Sequence, residues 1–400
     1  MLRKTAALLG LSALLITPTL AFAQDDAPTM GSDIAEACPA PANISGAIPV
    51  GAIFTISGAA SVYGGSQQAA VQLAVDQIND WGFLGDGNSI NILFEDSASE
   101  NEQAIAAMTK LVDEDQVVAV IGPTLSREAF SADPVAQDAG VVVLGVSNTA
   151  NGITDMGDFV FRNSLPEASV IPGTVADSVS ELGITSAGLL YGNDDDFTVS
   201  GYEVMLSELS DAGVSIVGEE TFAAGDTDFN AQLTNLIGAN PDAIFVSALA
   251  AEATPIIQQA RSLGYTGPIV GGNGFNSPAV LSQTGEDSNG LIVGAAWNGS
   301  STNPLSTAFV EAFSEATGNP PDQFAAQAYT GAWLIASAIR CADSTDRAAI
   351  RDSLASLPEI ETPLGLFTFD EDRNPVHPSI TQVAQDGVFL PLISEEEPAS

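Results

Sequence analysis

The residues of this chain best suited to chemistry are small hydroxyls and amides gathered in three short segments. They are Ser57-Gly58-Ala59-Ala60-Ser61-Val62-Tyr63-Gly64-Gly65, Gly122-Pro123-Thr124-Leu125-Ser126-Arg127, and Ser147-Asn148-Thr149-Ala150. Each follows an apolar run of strand length and leads into a helical stretch or a turn. A hydroxyl beside the free N–H groups that open a helix makes a seat for a carboxylate. One such Ser or Thr alone is ordinarily a helix cap. Three on successive strands of one lobe point to a ligand site, because open α/β sheets bind ligands outside the carboxyl ends of their strands.

Bond-making chemistry finds little support. There is no G-x-x-x-x-G-K-[ST] run to cradle a phosphate. Gly145-Val146-Ser147-Asn148 lacks the closing glycine of a nucleophile elbow. His377, the single histidine, stands near the C-terminus, and the two cysteines are isolated, which leaves no zinc set. Asp194-Asp195-Asp196 lacks a calcium-loop spacing and reads as a solvated acidic face. Gly271-Gly272-Asn273-Gly274 carries no dinucleotide fingerprint and reads as a turn that another group approaches closely. No enzyme activity, cofactor or metal is expected.

The elements that must position these segments alternate regularly from Ile48 onward. Ile48–Ile56 reads as strand and Gly65–Trp81 as helix, with Ala70, Leu73, Ala74 and Ile78 on one face. Strand and helix then alternate through Leu291–Ala295. Three helical stretches follow, Pro304–Ala316, Ala325–Cys341 and Ala348–Leu357, and the end reads β. This βαβα order argues α/β architecture with parallel sheets covered by helices. The strands are too many for one comfortable sheet, so two doubly wound lobes are expected.

Composition narrows the partners. Against 51 Asp+Glu stand 10 Lys+Arg, a formal net charge of −41 over 400 residues. Such a surface repels nucleic acid and anionic membranes. It is not a disordered acidic chain, because 45% of the residues are hydrophobic. Self-repulsion on this scale suits a saline exterior, where molar salt shortens the Debye length to about 3 Å. Residues 1–23 read as a signal peptide: Arg3 and Lys4, an apolar run from Ala6 to Ile16, and an Ala21-Phe22-Ala23 cleavage site. Its removal leaves a periplasmic mature protein. Cys38 and Cys341, an even count in an exported chain, read as one disulfide. Two unpaired buried thiols are the other reading.

Ile56-Ser57-Gly58 with Tyr63-Gly64, followed by the Ala69–Asn79 helix, resembles the opening of type I periplasmic binding proteins, and most nearly the branched-chain amino-acid (Leu/Ile/Val) binding proteins of ABC transporters. Ile121-Gly122-Pro123 with Ser126, Ser147–Ala150, Phe161-Arg162, Gly225–Phe229 and Gln258–Gly264 fall in the family's order. The resemblance covers about residues 48–393. It implies a leucine-binding protein fold of two α/β lobes joined by three hinge crossings, shut over a ligand by hinge closure. The implied layout is an N-terminal lobe of 48–163 plus 298–366 and a C-terminal lobe of 164–297 plus 367–393; outside it, residues 24–47, rich in Asp, Ala, Pro and Gly without periodicity, read as a flexible leader, and 394–400 as an acidic tail. It also implies a monomer that delivers a small ligand to ABC permease subunits. A ligand-sensing regulator on the same fold remains a second reading.

Carried over residue by residue, Tyr63 lines the cleft, and Ser126, Ser147 and Thr149, with Asn148 between the last two, hold a carboxylate. Phe197 and Leu249 stand where the family usually has tyrosine, and Asn273 where it usually has the glutamate that receives the amino group. An ammonium buried without a charged partner is costly. Either Asp195 or Glu252 supplies that charge, or the ligand is a small amide, a urea-like molecule, or an aromatic or aliphatic acid. Arg127 either reinforces the carboxylate seat or balances Glu128 on the surface.

Overall fold

The computed structural model describes residues 29–393. The expected signal peptide and acidic tail lie outside the described residues. The chain begins with α1 (Ser32–Ala37), β1 (Gly46–Phe54), α2 (Ser61–Trp81), β2 (Asn88–Asp96), α3 (Asn101–Thr109), β3 (Ala119–Ile121), α4 (Ser126–Asp138), β4 (Val142–Gly145) and β5 (Val160–Arg162). These strands form one parallel sheet in the order β2-β1-β3-β4-β5. β1 is buried along Val50, Ala52, Ile53 and Phe54, as a central parallel strand covered on both faces must be.

A second sheet takes up the next stretch: α5 (Glu167–Leu182), β6 (Ser186–Gly192), α6 (Asp196–Asp211), β7 (Ser215–Phe222), α7 (Asn230–Gly238), β8 (Ala243–Ser247), α8 (Ala250–Ser262), β9 (Ile269–Gly271), α9 (Pro278–Thr284) and β10 (Leu291–Ala295). The chain then returns to the first lobe with α10 (Pro304–Thr317), α11 (Gln323–Ala342), α12 (Arg347–Ala355), β11 (Ile360–Thr362), β12 (Gly365–Phe369) and β13 (Pro375–Val376). It ends in the second with β14 (Ile380–Gln385) and β15 (Val388–Pro391), antiparallel edge strands that complete the order β15-β14-β10-β9-β8-β6-β7.

The first core forms where α2 and α11 pack on the sheet. Ala70, Val71, Ala74, Val75 and Ile78 recur at helical spacing on α2 and are buried together with Trp333, Ile335 and Ile339 of α11. α11 is buried on every side from Gln323 to Arg340, which explains its nearly unbroken apolar sequence.

Two expectations change. The leader is not wholly flexible: α1 buries Ile34 in the first core, with Met30 just before the helix, while the expected bond between Cys38 and Cys341 is present with Cα atoms 5.1 Å apart. Six residues of helix are too few for a periodic signal. The third lobe exchange comes after residue 366. β12 pairs with β11 and β13 in a small antiparallel sheet, and Phe369 meets Phe161 edge-on at 5.5 Å, so the chain stays with the first lobe as far as Val376.

Candidate functional site

β1, β3 and β4 are neighbours in the first sheet, so the segments that follow them stand side by side at one end of it. They face the ends of β6, β8 and β9 across the gap between the lobes. A cavity of about 20 Å³ lies there, lined by Tyr63, Leu125, Ser126, Ser147, Asp195, Phe197, Leu249, Asn273 and Phe324, among others. This is room for little more than one water. The lobes are therefore drawn together over the seat.

A hydroxyl has one proton and two lone pairs, and the three predicted hydroxyls use theirs differently. Ser147 Oγ donates to the Thr124 carbonyl at 2.7 Å and accepts from Gln67 Nε2 at 2.8 Å. Thr149 Oγ1 donates to Glu167 Oε1 at 2.7 Å. Neither has a proton left for a ligand. Ser126 Oγ accepts from the backbone N–H groups of Thr149 and Ala150, at 3.1 and 3.2 Å. Both of its lone pairs are taken, so its proton is the one available to an acceptor in the cavity. Ser126 is also the first residue of α4, where helix N–H groups lack intrahelical partners.

Contacts between the lobes close the cavity. The Tyr63 hydroxyl donates to the Gly274 carbonyl and accepts from Ala250 N–H, both at 2.7 Å. Burial pushes its pKa well up, so it keeps the proton that this bridge requires. Arg127 of α4 forms a salt bridge to Asp195 of the second lobe at 3.1 Å and donates to the Ser99 carbonyl at 2.8 Å. Asp195 also caps α6 by accepting from Phe197 and Thr198 N–H.

A sequence profile of the periplasmic binding proteins matches residues 47–387. The chain belongs to the periplasmic binding protein family. Over 318 residues it is 26% identical to the leucine-, isoleucine-, valine-, threonine-, and alanine-binding protein of Pseudomonas aeruginosa, spanning 79% of this chain and 84% of that one. Its structure is similar to that of LivJ, the branched-chain amino acid transporter substrate binding protein of Streptococcus pneumoniae, in complex with isoleucine. That match has a TM-score of 0.79 and 32% identity, covering 86% of this chain and 97% of the other. An ABC transporter solute binding protein of R. palustris in complex with benzoate shares the fold, with a TM-score of 0.78 and 22% identity over 87% of this chain and 96% of its own.

Within this periplasmic binding protein, the predicted site residues separate into groups. Tyr63, Ser126, Ser147, Asp195, Phe197, Leu249 and Asn273 line the cavity. Asn148 and Thr149 do not line it, against expectation. Asn148 Nδ2 donates to the Pro123 carbonyl at 3.1 Å, and its amide lies so close to Gly145 that a Cβ there would sit 2.2 Å from Oδ1. Thr149 is drawn to Glu167 of α5. Both brace the loop that orients Ser126. Arg127 does not line the inner cavity; its guanidinium is held by Asp195 and Ser99, and its charge also favours the ionised form of Glu128.

At Asn273 the oxygen is already taken. Oδ1 accepts from Gln323 Nε2, and Gln323 Oε1 accepts from Ala296 N–H at 2.8 Å. Asn276 Nδ2 also donates to Asn273 Oδ1 at 3.4 Å, so both lone pairs have donors and the oxygen has little to offer an ammonium. Several residues escaped the sequence reading. Gln67, fully buried, accepts from Thr124 Oγ1 at 2.7 Å while holding Ser147. Phe324 packs against Tyr63 with the rings tilted by 55° and their centroids 4.6 Å apart. Only a glutamine on the apolar face of α2 signalled the first.

Besides Asp195, other buried carboxyls stand near the seat. Burial raises Glu167 and Glu128 to about 7 and Asp322 to about 6. Glu167 keeps a partial partner in Thr149, Glu128 accepts from Leu125 N–H at 3.2 Å, and Asp322 caps α11 through Ala325 N–H at 2.8 Å.

Proposed function

We propose that this chain is the solute-binding component of an ABC importer, which holds a small carboxylate-bearing ligand between its lobes and hands it to permease subunits in the membrane. The carrying observation is the Ser126 hydroxyl, which lines the interlobe cavity and accepts from two backbone N–H groups, leaving its proton for an acceptor there. The role is capture without bond chemistry, and the expected signal peptide at 1–23 places it in the periplasm. Ligand favours the shut form because only then do both lobes touch it. The relative from Pseudomonas aeruginosa, named for five amino acids, and the one from Streptococcus pneumoniae, named for branched-chain amino acids, support the ligand class.

A second reading has its own observation. The Asn273 oxygen is committed to Gln323, so an acid without an α-ammonium fits this position better than an α-amino acid. The R. palustris protein in complex with benzoate is a precedent on this fold. A thermal-shift screen of amino acids against the matching deaminated acids tests both. A ligand at a hundred times its Kd should add about 2.7 kcal/mol of stability. Ser126→Ala should remove the shift given by the best hit. Unchanged affinity in that variant would move the seat elsewhere.

A further inference from the structure

Beyond Leu249 and Asp195, which line both spaces, the inner cavity adjoins a second interlobe chamber of about 230 Å³, against about 20 Å³ for the inner one. The first lobe supplies Gly58 to Ala60, Glu100 and Arg127 to its wall, and the second lobe supplies Asp194 and Glu252. The walls are acidic in a particular way. Arg127, the one base in them, is committed to Asp195 and to the Ser99 carbonyl. Asp194 Oδ1 accepts from Ala224 N–H at 2.9 Å at the rim. Glu252, in the first turn of α8, is only 6% exposed. Its Oε1 accepts from Gly225 N–H at 3.0 Å, and its Oε2 has no hydrogen-bond partner among the described residues. That oxygen is not fully buried and stays open to the chamber, where an accessible carboxylate oxygen is a ready partner for a cation.

We propose that the ligand carries, besides its carboxylate, a distal ammonium or guanidinium that Glu252 and Asp194 receive in this outer chamber. This rests on the cleft reading above and deepens it. The acid head meets Ser126 in the inner cavity. The body passes Leu249, and the cation ends beside Glu252. The charge that Asn273 does not offer at the α-position is thus offered several atoms further along. Burial also raises the Glu252 carboxyl, a shift that a bound cation would oppose.

The test is calorimetric titration of matched pairs at one ionic strength: 6-aminohexanoate against hexanoate, and lysine against norleucine. The cationic member of a pair should bind at least tenfold more tightly. Glu252→Gln, which keeps an acceptor for Gly225 N–H, should bring that ratio close to one. Ser126→Ala should weaken both members. The inference is overturned if the wild-type ratio is one or less, or if Glu252→Gln weakens both members equally and so marks Glu252 as a brace for Gly225. Hexanoate binding that depends on Ser126 with no gain from the amine sinks the inference and leaves the cleft reading standing. Binding by no member of either pair sinks both.

Discussion

The hydroxyl of Tyr63 in the first lobe donates to the carbonyl of Gly274 in the second, 211 residues away in the chain, at 2.7 Å. Ala250 N–H donates to the same oxygen. One side chain thus satisfies two backbone groups that closure buries. Tyr63→Phe keeps the ring against Phe324 but strands both groups, at about 1–3 kcal/mol for each. The loss falls on the closed state alone. The variant should bind its ligand at least about thirtyfold more weakly, and small-angle scattering should find the unliganded protein more extended. A radius of gyration and affinity equal to wild type would remove Tyr63 from the closing contacts.

Arg127 and Asp195 form the second clasp. The pair is largely shielded from solvent, with side-chain exposures of 22% and 5%. Asp195 also caps α6, so single substitutions there mix two effects. A double-mutant cycle with Arg127→Gln and Asp195→Asn separates them. A coupling energy of about 1–3 kcal/mol in ligand affinity is expected. Zero coupling would make this a passive surface pair.

Much of the architecture was open to reading because it repeats. The strand Leu291–Ala295 has the bounds that periodicity assigns it, and the helix read at Gly65–Trp81 ends at the same Trp81. Site placement was legible to the extent that it follows from strand ends: Ser126, Tyr63 and Leu249 fall where the alternation puts them. What each hydroxyl does was not legible. Its direction is set by a partner distant in sequence, Gln67 for Ser147 and Glu167 for Thr149. Asn273 was read from its position alone, and its oxygen belongs to Gln323, 50 residues on.

Stability should fall as pH rises from about 4 to about 7. Glu167 and Glu128 are lifted from an ordinary 4.5 to about 7, and Asp322 from 3.8 to about 6, all by burial. Between the unfolded and folded values the native state holds more protons than the unfolded chain, so raising pH favours unfolding. Their contribution is complete below about 4 and gone above about 7. Melting curves in molar salt, which mutes the surface charges, should give a higher Tm at pH 5 than at pH 8. Glu167→Gln, which retains an acceptor for Thr149, should flatten the slope. A slope unchanged by that variant would remove Glu167 as a source.

Cys38 and Cys341 are separated by 303 residues, so their bond closes a long loop and ties α1 to the last turn of α11. Long loops gain most from closure in the chain-entropy account. Replacing both cysteines by serine should cost about 2–5 kcal/mol. Thiol titration of the denatured, non-reduced protein should find no free thiol. Two titratable thiols would contradict the bond.

The last expectation concerns salt, and it follows from where the scarce cations are placed. Arg162, Arg261, Arg340, Arg347 and Arg373 direct their guanidinium groups to backbone carbonyls, among them those of Ala150, Gly267, Cys38, Val117 and Val160. Lys110, Arg127 and Arg351 make the salt bridges found among the described residues. The cations thus act largely as internal braces, and most of the acids among the described residues face solvent without a salt-bridge partner. Dilute buffer leaves that repulsion acting over about 10 Å, whereas molar salt cuts it to about 3 Å. Tm should therefore climb between 0.1 M and molar salt, by several degrees at pH 7 and by less at pH 5, where more carboxyls are neutral. Sucrose at matched osmolality separates charge screening from general exclusion effects. A Tm that ignores salt, or that rises equally with sucrose, would refute screening as the cause.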